Sequence, residues 1–258
     1  MWLFDQLVRA HIATGTVGLI AMWVPVIGRK GGARHKRWGK VFAWTMLLTG
    51  AIAIGISVCT LIYPLETHDF WDDAALVRGV FGWMMIYLAT MTIMLAWYGL
   101  LCIRNKRQHH RNRNSVNFVL QFLTLATAAN CAWHGFMLKQ PLMIGISSVG
   151  LTAAVLNTRF ILTKSPPHNE WLIQHTRGLV GAGISVYTAF LAFGAVNLLP
   201  AYAFNPFVWA TPTVLGVALL LYHQSRIEGQ RNRSRALSIA RPALSKIGYM
   251  EDQGQDQK

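Results

Sequence analysis

Uncharged runs of some twenty residues recur from one end of this chain to the other, and no other feature restricts its fold so strongly. A hydrocarbon core of roughly 30 Å is crossed by about 20 helical residues, and lipid offers no partner for an open backbone N–H or C=O. Each run is therefore expected to be a membrane-crossing helix. Seven are read: Val8 to Gly28, Val41 to Tyr63, Gly79 to Ile103, Val116 to Leu138, Pro141 to about Thr158 and on toward Lys164, Trp171 to Pro200, and Tyr202 to Tyr222. The balance of 53% hydrophobic to 13% charged residues suits such an all-α integral membrane protein better than a soluble domain.

The connecting segments alternate in charge. Arg29 to Lys40, Arg104 to Arg113 and the stretch beyond His223 are rich in Lys and Arg, whereas the intervening loop carries Glu66, Asp69, Asp72 and Asp73. The positive-inside rule then places the N-terminus outside and the C-terminus in the cytoplasm. This gives a seven-span transmembrane domain over 1–223 and a basic cytoplasmic tail over 224–258 that lacks apolar periodicity and is expected to be flexible or to lie on the membrane surface. Asp5 and Arg9 stand where a signal peptide has its basic region, so the first span is expected to be retained. The net charge of +14 follows from loop topology and comes with no nucleic-acid motif, so no nucleic-acid partner is expected. Cys59, Cys102 and Cys131 form no C-x-x-C pair and read as small buried hydrophobes.

Chemistry inside the bilayer rests on histidine, because no Asp or Glu lies deep within a run. His11, His134 and His175 sit among apolar and small residues, and an imidazole there calls for a hydrogen-bond partner, a metal or a proton pathway. Helical spacing places Thr14, Gly15 and Gly18 on the face of His11, and Gly178, Leu179 and Ala182 on that of His175. Cys131, Asn130 and Thr127 share the face of His134. Such shelves have two readings. Small residues let membrane helices approach closely, with the imidazole bonded across the contact. Alternatively, they leave a slot for a flat cofactor, with axial imidazoles from two helices gripping the iron of haem b.

On the spans as drawn, the helical rise puts His11 about 5 Å and His134 about 6 Å inside the outer boundary, which pairs them. His175 lies toward the inside, with His35 and His223 as possible partners there. Arg177 enters the sixth span, where it would meet a haem propionate, a lipid phosphate or Glu170. The loop histidines His68, His109, His110 and His168 read as solvated. A zinc hydrolase would want coordinating spacing such as H-x-x-x-H, which is absent. Coupled transporters usually carry a midplane carboxylate, and none stands here. No G-x-G-x-x-G follows a strand, so a redox role would depend on an external electron donor or a partner subunit.

The segment Lys30-Gly31-Gly32-x-x-His35-x-x-x-Gly39-Lys40-Val41-Phe42, preceded by His11, resembles a family of prokaryotic polytopic membrane proteins grouped as a domain of unknown function. In that family a histidine of the first span is followed by a K-G-x-x-H-x-x-G type loop, and this chain has one extra residue on each side of His35. The stretch from His175 through Thr188-Ala189-Phe190 is similar to a later histidine-bearing span of the family. The resemblance implies an integral protein of the bacterial cytoplasmic membrane and points to His11, His35 and His175. In outline, histidines on several helices are also similar to the cytochrome b561 and ferric-reductase class. Two functions are thus expected to compete: a haem b electron-transfer protein, and a small transporter or lipid-interacting accessory or scaffold protein with structural or proton-relaying histidines.

Overall fold

The computed structural model describes residues 2–191, 207, 210–230 and 232, and within them every regular element is helical. The long helices are α1 (Trp2–Ile27), α2 (Ala33–Ile62), α3 (Ala74–Arg104), α4 (Ser115–Met137), α5 (Pro141–Leu162), α6 (Glu170–Ala189) and α7, over 210–230. Of these, α1 to α5 are long and apolar enough to cross a membrane. Gln174, His175 and Arg177 make α6 more polar. The expected sixth span, to Pro200, is described only as far as residue 191, and the seventh only at 207 and from 210 onward. The tail beyond 232 lies outside the described residues.

Helix ends follow local chemistry. Asp73 caps α3 by accepting from the backbone N–H groups of Ala75 and Leu76 at 2.9 and 3.0 Å, and Asn114 caps α4 through the Asn117 N–H at 3.0 Å. Pro141 opens α5 at a position where its missing N–H costs nothing. The second helix starts at Ala33, about two turns before the expected Val41. Arg34, Lys36, Arg37 and Lys40 are exposed on those turns, so the basic segment is helical rather than a loop. At its far end α7 also continues past the expected boundary at 223, where Gln224 donates to the Glu228 carboxylate one turn on at 2.8 Å.

The hub is α3, with 72% of its apolar window buried, against 17% for α1 and 28% for α2, α4 and α5. It packs on α2, α4 and α6, while α1 lies on α2 and α5 on α4. Glycines seat these contacts: Gly50 of α2 receives Ile93, Gly150 of α5 receives the Tyr87 ring, and Gly79 and Gly82 receive Leu138 and Leu61. Tyr87, Met46, Met84, Met94 and Met143 are fully buried around the hub. Large apolar side chains such as Ile12, Ile20, Trp44, Leu48, Phe122, Phe136 and Val155 face outward over α1, α2, α4 and α5. A surface of that extent is compatible with lipid rather than water as its solvent. The stretch Arg78–Trp83, near the start of α3, is π-helical.

Candidate functional site

At the basic end of the bundle the K-G-G-x-x-H segment closes α1 by a definable device. The last carbonyls of a helix have no intrahelical partner. Lys30 Nζ donates to the Pro25 carbonyl at 2.8 Å and also to that of Val26, and His35 Nδ1 meets the same Pro25 oxygen at 3.2 Å. Gly31 makes the return possible with a left-handed backbone (φ +76°). Two basic side chains at the negative end of the α1 dipole add a favourable electrostatic contribution. Burial pulls the Lys30 ammonium below the ordinary lysine range. His35 thus belongs to the first turn of α2 and clamps it to α1.

His175 is held in a similar way one helix pair further on. Gly178 of α6 lies against Gly99 of α3 so closely that a Cβ there would be 2.7 Å from the Gly99 Cα. This approach brings His175 Nδ1 to 2.9 Å from the Gly99 carbonyl. His35 and His175 are close enough to interact electrostatically, and His223 of α7 similarly senses Lys30. Arg177, two residues from His175, donates to Gln224 of α7 at 2.7 Å. Nearby, Tyr98 donates to Gln174 at 2.9 Å, and Gln174 to Glu170 at 2.9 Å. At this basic end α1, α2, α3, α6 and α7 are therefore joined by polar side chains.

His11 repeats the pattern midway along the first helix pair. Its Nδ1 lies 3.3 Å from the Thr49 carbonyl, and Thr49 Oγ1 donates to Thr14 Oγ1 at 2.9 Å. In all three cases Nδ1 faces a main-chain carbonyl that can only accept, which fixes that nitrogen as the donor and leaves Nε2 as the open atom. His134 has a different environment: its ring stacks on Trp83 at 5.5 Å with an interplanar angle of 13°. Nearby, Phe4 of α1 lies beside His68, which lies beside Phe81 of α3. The first helix begins at Trp2, earlier than the expected Val8.

The small-residue shelves are occupied by neighbouring helices. Gly18 packs against Met46 and Thr45, Gly15 against Thr49, and Gly178 against the Gly99 backbone. Among the described residues, no three His, Cys, Asp or Glu side chains gather as a metal-holding group. Cys102 and Cys131 are buried free thiols and Cys59 is half-buried.

Two histidines expected to be solvated are packed instead. His68 is wedged between Phe4 and Phe81, at 5.9 and 4.3 Å between centroids, and burial pulls its imidazole below the ordinary range against the opposing influence of Asp69. His109 lies edge-on to Phe160 at 4.6 Å. A polar ladder in α4 also went unread from sequence: Asn117 donates to the Asn112 carbonyl at 2.9 Å, and Gln121 to Asn117 at 3.4 Å. Its signal is Asn117, Gln121 and Thr124 on one helical face. No protein-family model, curated protein or solved structure matches the chain.

Proposed function

We propose that this chain is a seven-span protein of the bacterial cytoplasmic membrane, N-terminus outside and C-terminus inside, whose inner histidines relay protons in a transporter-type cycle. The observation that carries the reading is the pairing of His35 with His175: each ring is tethered through Nδ1 to a backbone carbonyl, and the two lie within electrostatic range. Tethering leaves Nε2 of each ring to take up and release a proton. Mutual repulsion disfavours a charge on both rings at once. The basic loops and the α7 end supply an electropositive cytoplasmic mouth. Arg177, engaged with Gln224, ties α6 to α7 beside this pair.

The competing reading, a haem b electron-transfer protein served by an external donor or partner subunit, draws on the same open Nε2 atoms as axial ligands. It requires the α1–α2 or α3–α6 contact to open around the cofactor. Purification in mild detergent after expression with a haem precursor separates the two. The proton-relay reading expects no Soret band. It also expects proton uptake by proteoliposomes, driven by a potassium diffusion potential, that exceeds that of empty liposomes and is lost in His175→Gln and His35→Gln. A Soret band abolished by those substitutions, or uptake no faster than in empty liposomes, overturns it.

A further inference from the structure

Away from the histidine pair, two segments far apart in the chain line an open cavity of about 520 Å³. One wall is the α3–α4 connection, with Asn105, Lys106 and Arg107; the other is the α5–α6 connection, with Pro166 and Pro167, together with Trp171 in the first turn of α6. Its size falls within the range of about 300–1,000 Å³ typical of small-ligand sites.

The walls are built rather than loose. Asn105, 8% exposed, donates to Asn112, 1% exposed, at 3.0 Å. The Asn112 carbonyl in turn accepts from Asn117 of α4 at 2.9 Å. Arg113 fastens the same loop to the end of α5 by donating to the carbonyls of Ile161, Leu162 and Thr163 at 3.0 to 3.2 Å. Because Arg113 is committed to those carbonyls, it neutralises the end of the α5 dipole instead of serving the cavity. His109, half-buried, packs against Phe160 near the same helix end, and desolvation holds its imidazole below the ordinary histidine range.

The cationic groups that face the cavity are therefore Lys106 and Arg107, both exposed, with exposed His168 opposite. Lys106 Nζ lies 5.8 Å from the Trp171 ring centroid, which sets its charge over the aromatic wall. Among the described residues no carboxylate lines the cavity, and that of neighbouring Glu170 accepts from Gln174 one turn along α6. Two cations with donor-only head groups, a rigid proline wall and an indole make a site that selects a compact anion carrying an apolar or flat attachment.

We propose that this cavity binds an organic phosphate, its charge held by Lys106 and Arg107 and its attached group resting against Trp171 and the Pro166–Pro167 wall. The phosphate can come from an anionic phospholipid headgroup or from a soluble phosphate ester. Both present the same oxyanion, and a basic pocket at helix ends suits either.

The test is binding to the full chain in neutral detergent, followed by thermal shift and native mass spectrometry, with short-chain phosphatidylglycerol, glycerol phosphate and phosphatidylcholine as probes. Lys106→Gln/Arg107→Gln removes two exposed charges, and Arg34→Gln/Arg37→Gln removes two exposed charges of α2 as a matched control. Phosphatidylglycerol or glycerol phosphate is expected to bind more tightly than phosphatidylcholine. The first variant is expected to weaken that binding about thirtyfold, the factor for two basic side chains at a membrane surface, and the control to leave it unchanged. Binding of phosphatidylglycerol alone assigns the lipid as the source, and binding of glycerol phosphate assigns a soluble ester. Failure of both to bind, or equal loss in the two variants, overturns the proposal.

Discussion

The contact of Gly178 with Gly99 makes a sharp quantitative claim. In Gly178→Ala the new Cβ would stand 2.7 Å from the Gly99 Cα and 2.8 Å from both the Gly99 N and the Leu95 O. All three are backbone atoms, so no side chain can swing away. Carbon atoms pack at about 3.5 Å or more, and α3 and α6 must separate by about 0.8 Å at this point. The same movement stretches the His175 Nδ1 to Gly99 carbonyl contact from 2.9 Å to about 3.7 Å, beyond hydrogen-bonding distance. Overpacking costs about 1–3 kcal/mol and the lost interhelical bond roughly 0.6 kcal/mol more, so a total of about 2–4 kcal/mol is expected. Reversible unfolding in mixed detergent micelles measures it. In a His175→Ala background the cost of Gly178→Ala should shrink by the hydrogen-bond share, a coupling that a double-mutant cycle isolates. Gly181, less than a turn away, faces only the flexible end of Leu95 at 3.3 Å, and Gly181→Ala should be neutral or stabilising by up to about 1 kcal/mol. A cost for Gly178→Ala below about 0.5 kcal/mol, or strict additivity with His175→Ala, would refute the claim that this crossing positions the histidine.

Within the K-G-G-x-x-H-x-x-x-G segment the glycines should separate by role. Gly31→Ala forces a side chain into the left-handed region and is expected to cost about 1–2 kcal/mol, whereas Gly39→Ala enters open space on α2 and should stabilise by up to about 1 kcal/mol, both read from detergent unfolding. His68, half-buried between two phenylalanine rings, has a depressed folded-state pKa. The unfolded chain therefore takes up a proton near 6.5 that the folded chain takes up only at lower pH. Its contribution is complete above the unfolded value and is lost as pH falls through the folded value, so His68→Leu should flatten the decline in melting temperature on acidification; an unchanged decline excludes His68 as its source. Asp73→Ala removes the cap of α3 and should cost about 1 kcal/mol, with Asp73→Asn retaining most of the stability.

Helical class and the first five spans were legible because lipid removes every alternative to helix for an uncharged run of that length. Their ends were less legible. A charge-based boundary put the start of α2 at Val41, but Arg34, Lys36 and Arg37 extend their heads outward from helical turns, so polarity and loop are not the same property. The small-residue faces of His11 and His175 could be drawn from spacing, yet what fills them could not, since Met46, Thr49 and Gly99 lie on other helices. The link between His175 and Gly99 joins residues 76 apart, and the cavity joins loops separated by all of α4 and α5. Such pairings depend on which faces meet in three dimensions, information that one helix's periodicity does not hold. His68 and His109 were misread for a related reason, since loop position says little once a phenylalanine from a neighbouring helix closes over the ring.

The placement of α3 has a consequence for how this bundle is assembled as it is synthesised. The pair α1–α2 precedes the hub in the chain and the pair α4–α5 follows it, and the two pairs meet chiefly through α3 rather than through each other. The first hairpin can close on its own Gly18 and Met46 contact, but its Gly50 seat has no partner until Ile93 of α3 arrives. Insertion of α3 then supplies at once the surface that captures the first hairpin and the template on which the second forms. The polypeptide is in this sense ordered in time as well as in space, with the most enclosed helix entering third and the α6 histidine finding its carbonyl only after that helix is in place.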